Sequence, residues 1–173
     1  VYALALQKSD LAPELILKLS DILRYILYEG SDKRVSLDKE IKYLRSYAEL
    51  EKVRHGDRVN LSLKIEGDIE TQEIVPMLLI PFVENSFKHG FGRDMANGYA
   101  NIHIQVNQDD LLFELKTSKP SVGMELKNTE NYKGGIGLQN VNRRLKLMYP
   151  DKHSMEVVET DLEYKVNLKI NLA

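Results

Sequence analysis

The 173-residue sequence contains no cysteine, which excludes a disulfide framework, thiolate catalysis and cysteine metal sites. Net charge is nearly absent as well: 24 basic and 26 acidic residues leave -2 at pH 7, so no extended basic face for direct nucleic-acid binding is expected. Long apolar runs are missing. The longest, "IVPMLLIPFV", is interrupted by Pro76 and Pro81 and falls short of the roughly 20 residues needed to span a bilayer. The opening "VYALALQKSD" has neither an initiator Met nor a charged region before its apolar one, so it reads as a piece of a longer chain and not as a secretory leader. Internal repeats and low-complexity tracts are absent. What remains is ordinary for a folded globular protein, with 43% hydrophobic and 29% charged residues. One or two small domains fit this length, and such a chain buries roughly 70% of its unfolded surface.

Residues 10–55 hold one glycine, Gly30, and divide there into two helical patterns. Asp10 is placed to cap the first, with Pro13 in its first turn. Ala12, Ile16, Leu19, Leu23 and Ile26 recur at spacings of four and three, a seam suited to a partner helix. Ser36 is placed to cap the second, where Asp38 and Glu40 meet the positive end of the helix dipole and Leu37, Ile41, Leu44 and Ala48 form the apolar face. After Gly56 the period changes to two. Val59, Leu61, Leu63 and Ile65 alternate with Asn60, Ser62, Lys64 and Glu66, as in a half-buried strand. A helix is expected over Met77 to His89, with Pro81 kinking it or marking its first turn. Strands follow over Ala100 to Val106 and around Leu111, Phe113 and Leu115. Gly134 to Gly137 open a helix running to about Met148, closed by Tyr149-Pro150. His153 is placed in a turn. The last stretch directs Leu162, Tyr164, Val166, Leu168 and Ile170 inward. The pattern as a whole predicts an α+β chain, a helical hairpin over 1–56 followed by a two-layer α/β sandwich over 57–173.

Two segments concentrate chemistry. In "PFVENSFKHG", Glu84 and Asn85 are hard oxygen donors suited to Mg²⁺, and Lys88 shares their helix face and suits a phosphate. The plain alternative is an exposed Glu–Lys pair with His89 as a helix C-terminal cation. In "GGIGLQNVNRRL", Gly134, Gly135 and Gly137 permit close backbone approach, and the helix starting near Leu138 directs free N–H groups at the loop. The spacing matches neither the P-loop nor a complete G-x-G-x-x-G, and an ordinary turn would look the same.

Taken in order, "VENSFKHG", a strand ending "ELKTSKP", and "GGIGLQNVNRRLKLMYP" resemble the GHKL ATP-binding fold of the LytS/YehU-type sensor histidine kinases. The N-terminal "YALALQKSDLAPELILKLSDILRYILYEG" and "VSLDKEIKYLRSYAELEKVRHGDR" resemble the helical dimerisation region that precedes it. The resemblance implies a mixed, mostly antiparallel sheet with helices on one face. It implies Mg-ATP as cofactor, with Asn85 as metal ligand and Glu84 as the acidic residue that polarises the acceptor imidazole. Lys88 and His89 fall at positions that approach the phosphates. Gly134, Gly135, Gly137 and Leu138 fall in the glycine lid, and residues 94–97 and 122–133 in loops bordering the pocket. The implied partners are a second copy, through the N-terminal helices, and a response regulator of the LytTR DNA-binding type. The implied setting is the cytoplasmic side of a bacterial inner-membrane sensor.

The sequence departs from that pattern twice. The family's adenine-reading Asp is absent: the strand ends Lys116-Thr117-Ser118-Lys119-Pro120, leaving the Thr117 hydroxyl as the substitute, with Gly123 the only glycine nearby. A neutral contact is weaker than a charge-assisted one. The acceptor motif, resembling Pro-His-Phe-Leu-Phe-Asn, is also absent, and His55, His103 and His153 lack its context, so the acceptor is expected upstream. The alternative function is a degenerate GHKL fold serving as a dimeric interaction module. ATP hydrolysis of the chaperone or topoisomerase kind is disfavoured, because Pro81 occupies the place of the water-activating Glu.

Overall fold

A computed structural model describes residues 6, 8–89, 97–119 and 136–173, with the side chains of His89 and Ile136 outside the description. Helix α1 (Leu11–Arg24) runs on through one wider π turn, Tyr25–Glu29, to Gly30. Asp10 makes no side-chain cap. Ser9, one residue earlier, takes that part: its Oγ accepts from the Leu11 N–H at 3.3 Å and its carbonyl from the Ala12 N–H at 3.0 Å. A glycine is needed at the far end, since a Cβ on Gly30 would stand 2.7 Å from the Ile26 carbonyl and 3.2 Å from Met77 Sδ. Strand β1 (Val35–Ser36) leads into α2 (Leu37–His55), which Ser36 caps as expected, its Oγ accepting from the Lys39 N–H. The expected apolar face of α2 is fully buried. Ala12, Leu15, Ile22 and Tyr25 of the α1 arm are buried, with α1 packed on α2, whereas Ile16, Leu19, Leu23 and Ile26 remain exposed.

The second layer is a five-stranded sheet of β2 (Val59–Glu66), β4 (Gly98–Asn107), β5 (Asp110–Ser118), β7 (Glu163–Asn171) and β6 (His153–Glu159), in that spatial order. Only β2–β4 is parallel; the other three pairings are antiparallel. Cross-strand rows Ala100–Thr117–Tyr164, Ile102–Leu115–Val166, Ile104–Phe113–Leu168 and Val106–Leu111–Ile170 lie on the buried face. The opposite face is polar. There His103 places Nε2 2.8 Å from Glu66 and Nδ1 3.2 Å from Glu114. Helices α3 (Ile80–His89) and α4 (Ile136–Met148) complete the helical layer: α2 packs on β2, α3 on β5, and α3 on both α2 and α4. A sheet with one apolar and one polar face buries itself this way, under helices on a single side.

Three local expectations change. His153 opens edge strand β6 instead of lying in a turn, and its Nδ1 is 2.7 Å from the Tyr149 carbonyl. Leu162 is exposed, because it belongs to the β6–β7 turn organised by Thr160. The helix expected from Met77 begins at Ile80, with Pro81 in its first turn. Met77 has φ +56°, outside helical geometry, and the preceding backbone is tied elsewhere.

That tie is the segment Gln72–Leu79, which includes β3 (Glu73–Ile74), paired with β1 through Val35↔Ile74. The Gln72 carbonyl accepts from the Leu37 N–H at 2.8 Å. The Val75 N–H donates to the Tyr149 hydroxyl at 3.0 Å, and Arg34 lies over the Tyr149 ring, 5.1 Å from its centroid. Arg144 donates to the Pro76 and Met77 carbonyls at 2.8 and 3.4 Å. Tyr149→Phe keeps the ring but strands the buried Val75 N–H. It is expected to lower stability by about 1–2 kcal/mol, measured by urea denaturation; an unchanged midpoint would refute this role for the hydroxyl.

Candidate functional site

The site forms where α3 meets the first turn of α4. Helix α3 buries Phe82, Val83 and Phe87, and this turns Glu84 and Lys88 outward while Asn85 is only half-buried. Ser86 is buried and donates its hydroxyl to the Val83 carbonyl at 2.8 Å, satisfied within the helix. Asn85 is not satisfied: its Nδ2 is buried without a hydrogen-bond partner among the described residues. It faces Gly137, where an added Cβ would lie 3.8 Å from that nitrogen. The two segments singled out in the sequence therefore meet at Asn85 and Gly137. Leu138, next along α4, turns inward and is buried.

Thr117 lies in the Ala100–Thr117–Tyr164 row at the end of β5, fully buried. Its Oγ1 also lacks a hydrogen-bond partner among the described residues. An unpaired buried polar atom costs about 1–3 kcal/mol, and native structures carry few of them. Two such atoms, one donor amide and one hydroxyl, suit a ligand that brings both acceptors and donors. Gly123, Gly134 and Gly135, and the side chain of His89, fall outside the description. So do residues 94–96 and 122–133 of the expected bordering loops.

Glu84 is flanked by α2. Partial desolvation raises its pKa above the usual carboxylate range, Glu51 adds to the rise and Lys88 opposes it. Across from it, Tyr43 is pushed up to about 12 by burial and then by the charges of Glu84 and Glu40, so its phenol stays protonated at neutral pH. Among the described residues no cluster of three or more acidic or histidine side chains is placed to hold a metal ion by itself. A cation held by Asn85 would need further oxygens from a ligand, as Mg²⁺ commonly does with phosphates.

Two residues near the site escaped the sequence reading. Arg144, inside the "GGIGLQNVNRRL" segment, anchors α4 to the Pro76–Met77 backbone. Glu40 was assigned to the helix dipole, yet it is fully buried and accepts from the N–H groups of Met77, Leu78 and Leu79. One signal was available: Glu40 lies three residues after Leu37 and four before Leu44, on the apolar stripe of α2.

With a folded-state pKa above its unfolded value, Glu84 binds its proton more tightly in the native state. Stability therefore falls as pH rises through that window and recovers on acidification. Glu84→Gln is expected to be more stable than wild type at about pH 7, with the gap closing toward about pH 4. Urea denaturation at both pH values checks this, and a gap of the same size at each would reject it.

Comparison with known proteins gives a consistent picture. A family model described as histidine kinase matches residues 1–59. The sensor protein LytS of Oceanobacillus iheyensis is 27% identical over 170 residues, 93% of this chain and 29% of that protein. The sensor histidine kinase/phosphatase LytS of Staphylococcus aureus is 26% identical over 168 residues, covering 92% of this chain and 29% of that protein. The chain thus spans 29% of the length of these two relatives. Among solved structures, histidine kinase ThkA, in complex with response regulator protein TrrA, aligns with a TM-score of 0.55 at 15% identity. That alignment covers 93% of this chain and 49% of ThkA, and the likeness is one of fold.

Proposed function

We propose that this chain, a relative of the LytS-type sensor histidine kinases over most of its length, is the nucleotide-binding catalytic portion of such a kinase. The observation that carries the reading is the buried, unpartnered amide of Asn85 facing Gly137. Asn85 would hold Mg²⁺ through Oδ1, leaving Nδ2 to donate to a phosphate oxygen. Lys88, exposed one turn later, would supply a positive charge to the phosphates, and His89, whose side chain lies outside the description, is assigned there from the sequence alone. Gly137 would admit a triphosphate close to the backbone at the start of α4, and Leu138 anchors that turn in the core; Gly134 and Gly135, outside the described residues, are assigned the same role from the sequence alone. Thr117 would meet the adenine with its hydroxyl, which has no partner among the described residues, and Gly123, outside the described residues, is assigned beside it from the sequence alone. Mg-ATP, when bound, supplies the γ-phosphoryl group and the cation that neutralises its charge.

The chain's own contribution to such a transfer is positioning and electrostatics. Glu84, held partly desolvated beside α2, accepts a hydrogen bond from the acceptor imidazole and orients it. The histidines that the structure accounts for are otherwise engaged: His103 between two carboxylates on the far face, His153 against the Tyr149 carbonyl, His55 beside Glu51 and Phe87. The acceptor is accordingly a histidine from outside these residues, and a response regulator of the LytTR type is the onward recipient. Residues 1–56 serve dimerisation and phosphotransfer, and 57–173 bind ATP. No helix among the described residues is long and apolar enough to cross a membrane. The setting that goes with the proposed reading is the cytoplasmic side of an inner-membrane sensor.

Calorimetric titration of ATP into the 173-residue chain is expected to show saturable binding. Withdrawing Mg²⁺ or introducing Asn85→Ala weakens it about tenfold or more. No binding at about millimolar ATP would reject the reading and favour an interaction module without catalysis. The exposed stripe Ile16, Leu19, Leu23 and Ile26 supports a homodimer through α1. Light scattering is expected to show a dimer that Leu19→Glu with Leu23→Glu converts to monomer; an unchanged mass would exclude this stripe as the interface.

A further inference from the structure

The carboxylate of Glu40 is saturated. Its Oε2 accepts from the Tyr25 hydroxyl and from the Met77 N–H at 2.8 Å; its Oε1 accepts from the N–H groups of Leu78 at 2.9 Å and Leu79 at 3.1 Å. Four donors fill the four lone-pair sites of an ionised carboxyl. Three of them belong to the segment that ends where α3 begins, at Ile80. The carbonyls of the same segment are held from α4: Arg144 donates to Pro76 and Met77. The helix bearing Asn85 and the helix bearing Gly137 are thus both tied to residues 76–79, one through an anion and one through a cation. The fourth donor, Tyr25, belongs to the α1 arm and stacks on Tyr43 of α2 at 4.6 Å between ring centroids. Gly30 brings the end of the same arm against Met77.

We propose that Glu40 is a positioning residue for the nucleotide site, fixing the start of α3 and hence Asn85 and Glu84, and that its bond to Tyr25 makes this placement depend on α1. This rests on the reading of Asn85 and Gly137 as the nucleotide site. Glu40 touches no reacting atom in that reading. It acts by presenting one rigid acceptor to three consecutive N–H groups, which no neutral side chain of its size can do. A glutamine keeps the shape but replaces one acceptor oxygen with a donor, setting NH₂ against two of the four donors. A phenylalanine at position 25 removes only the α1 limb and leaves the three N–H bonds in place.

The test compares wild type, Glu40→Gln and Tyr25→Phe at a temperature where circular dichroism shows each fully folded. The readouts are the calorimetric Kd for Mg-ATP and amide exchange along residues 80–89 relative to β5 and β7. A purely structural role lowers the melting temperature but leaves Kd unchanged in folded protein. Positioning raises Kd by about tenfold in Glu40→Gln and about threefold in Tyr25→Phe, with exchange accelerated selectively in α3. Wild-type binding that both variants match would overturn the proposal while leaving the nucleotide site standing. If wild type itself fails to bind, the nucleotide site falls, and exchange decides the positioning role alone: selective acceleration in α3 supports it, uniform acceleration or none overturns it. Should Glu40→Gln not fold, Tyr25→Phe carries both readouts.

Discussion

Four hydrogen-bond donors converge on the buried carboxylate of Glu40, and the tie between the α1 arm, α2 and the backbone that leads into α3 depends on that convergence. Burial raises the pKa of this group above its ordinary value, because a carboxylate loses its hydration, and the hydrogen bonds offset only part of that rise. A buried charge of this kind is tolerated only when each lone pair finds a donor. Three of the four donors here are backbone groups of Met77, Leu78 and Leu79 that have no strand or helix to satisfy them. Each side therefore meets the other's need. The non-helical turn at Met77, with its positive φ, exists because its amides point at Glu40 instead of continuing a helix. Removing either partner would leave the other buried and unmatched, which is why such networks behave as units.

Around this tie the rest of the architecture follows from patterning. The sheet has one apolar face, so α2, α3 and α4 must share one side, and α3 meets the start of α4 at Asn85 and Gly137. Arg144 completes the arrangement from α4 by taking the carbonyls of the segment whose amides Glu40 takes. Asn85 and Gly137, far apart in sequence, become neighbours because each helix is pinned at the same short stretch of backbone. The polar outer face, with His103 between Glu66 and Glu114, takes no part in this geometry.

The strands were legible because alternation is a strong signal wherever one face is buried: β2, β4, β5 and most of β7 lie where the period of two placed them. The Ser36 cap and the Leu37–Ala48 stripe were legible for the same kind of local reason. Edge strand β6 was not, since only Met155 and His153 are even partly buried in it and its sequence carries little contrast. The start of α3 was misplaced because apolar residues from Ile74 onward look continuous, while the force that stops the helix comes from Glu40, thirty-seven residues before Met77. Of the site, Asn85 and Gly137 could be named from ordered motifs, but their proximity could not. Nor could burial of Thr117, which depends on its cross-strand neighbours Ala100 and Tyr164.

The contrast between satisfied and unsatisfied polar groups carries the functional reading furthest. The chain goes to some length to match Glu40 completely, and it satisfies Ser86, one residue from Asn85, within its own helix. Elsewhere it leaves Asn85 Nδ2 and Thr117 Oγ1 buried without partners among the described residues. A fold able to satisfy a buried carboxylate four times over is not short of means to satisfy an amide and a hydroxyl. Leaving them open costs stability in the free protein, and a ligand that supplies the missing partners returns that free energy on binding. The positions of the two open groups, at the α3–α4 junction and at the end of β5, set where such a ligand must have its polar atoms. The Mg-ATP proposed above, with phosphates and a heterocyclic base, carries acceptors and donors of both kinds.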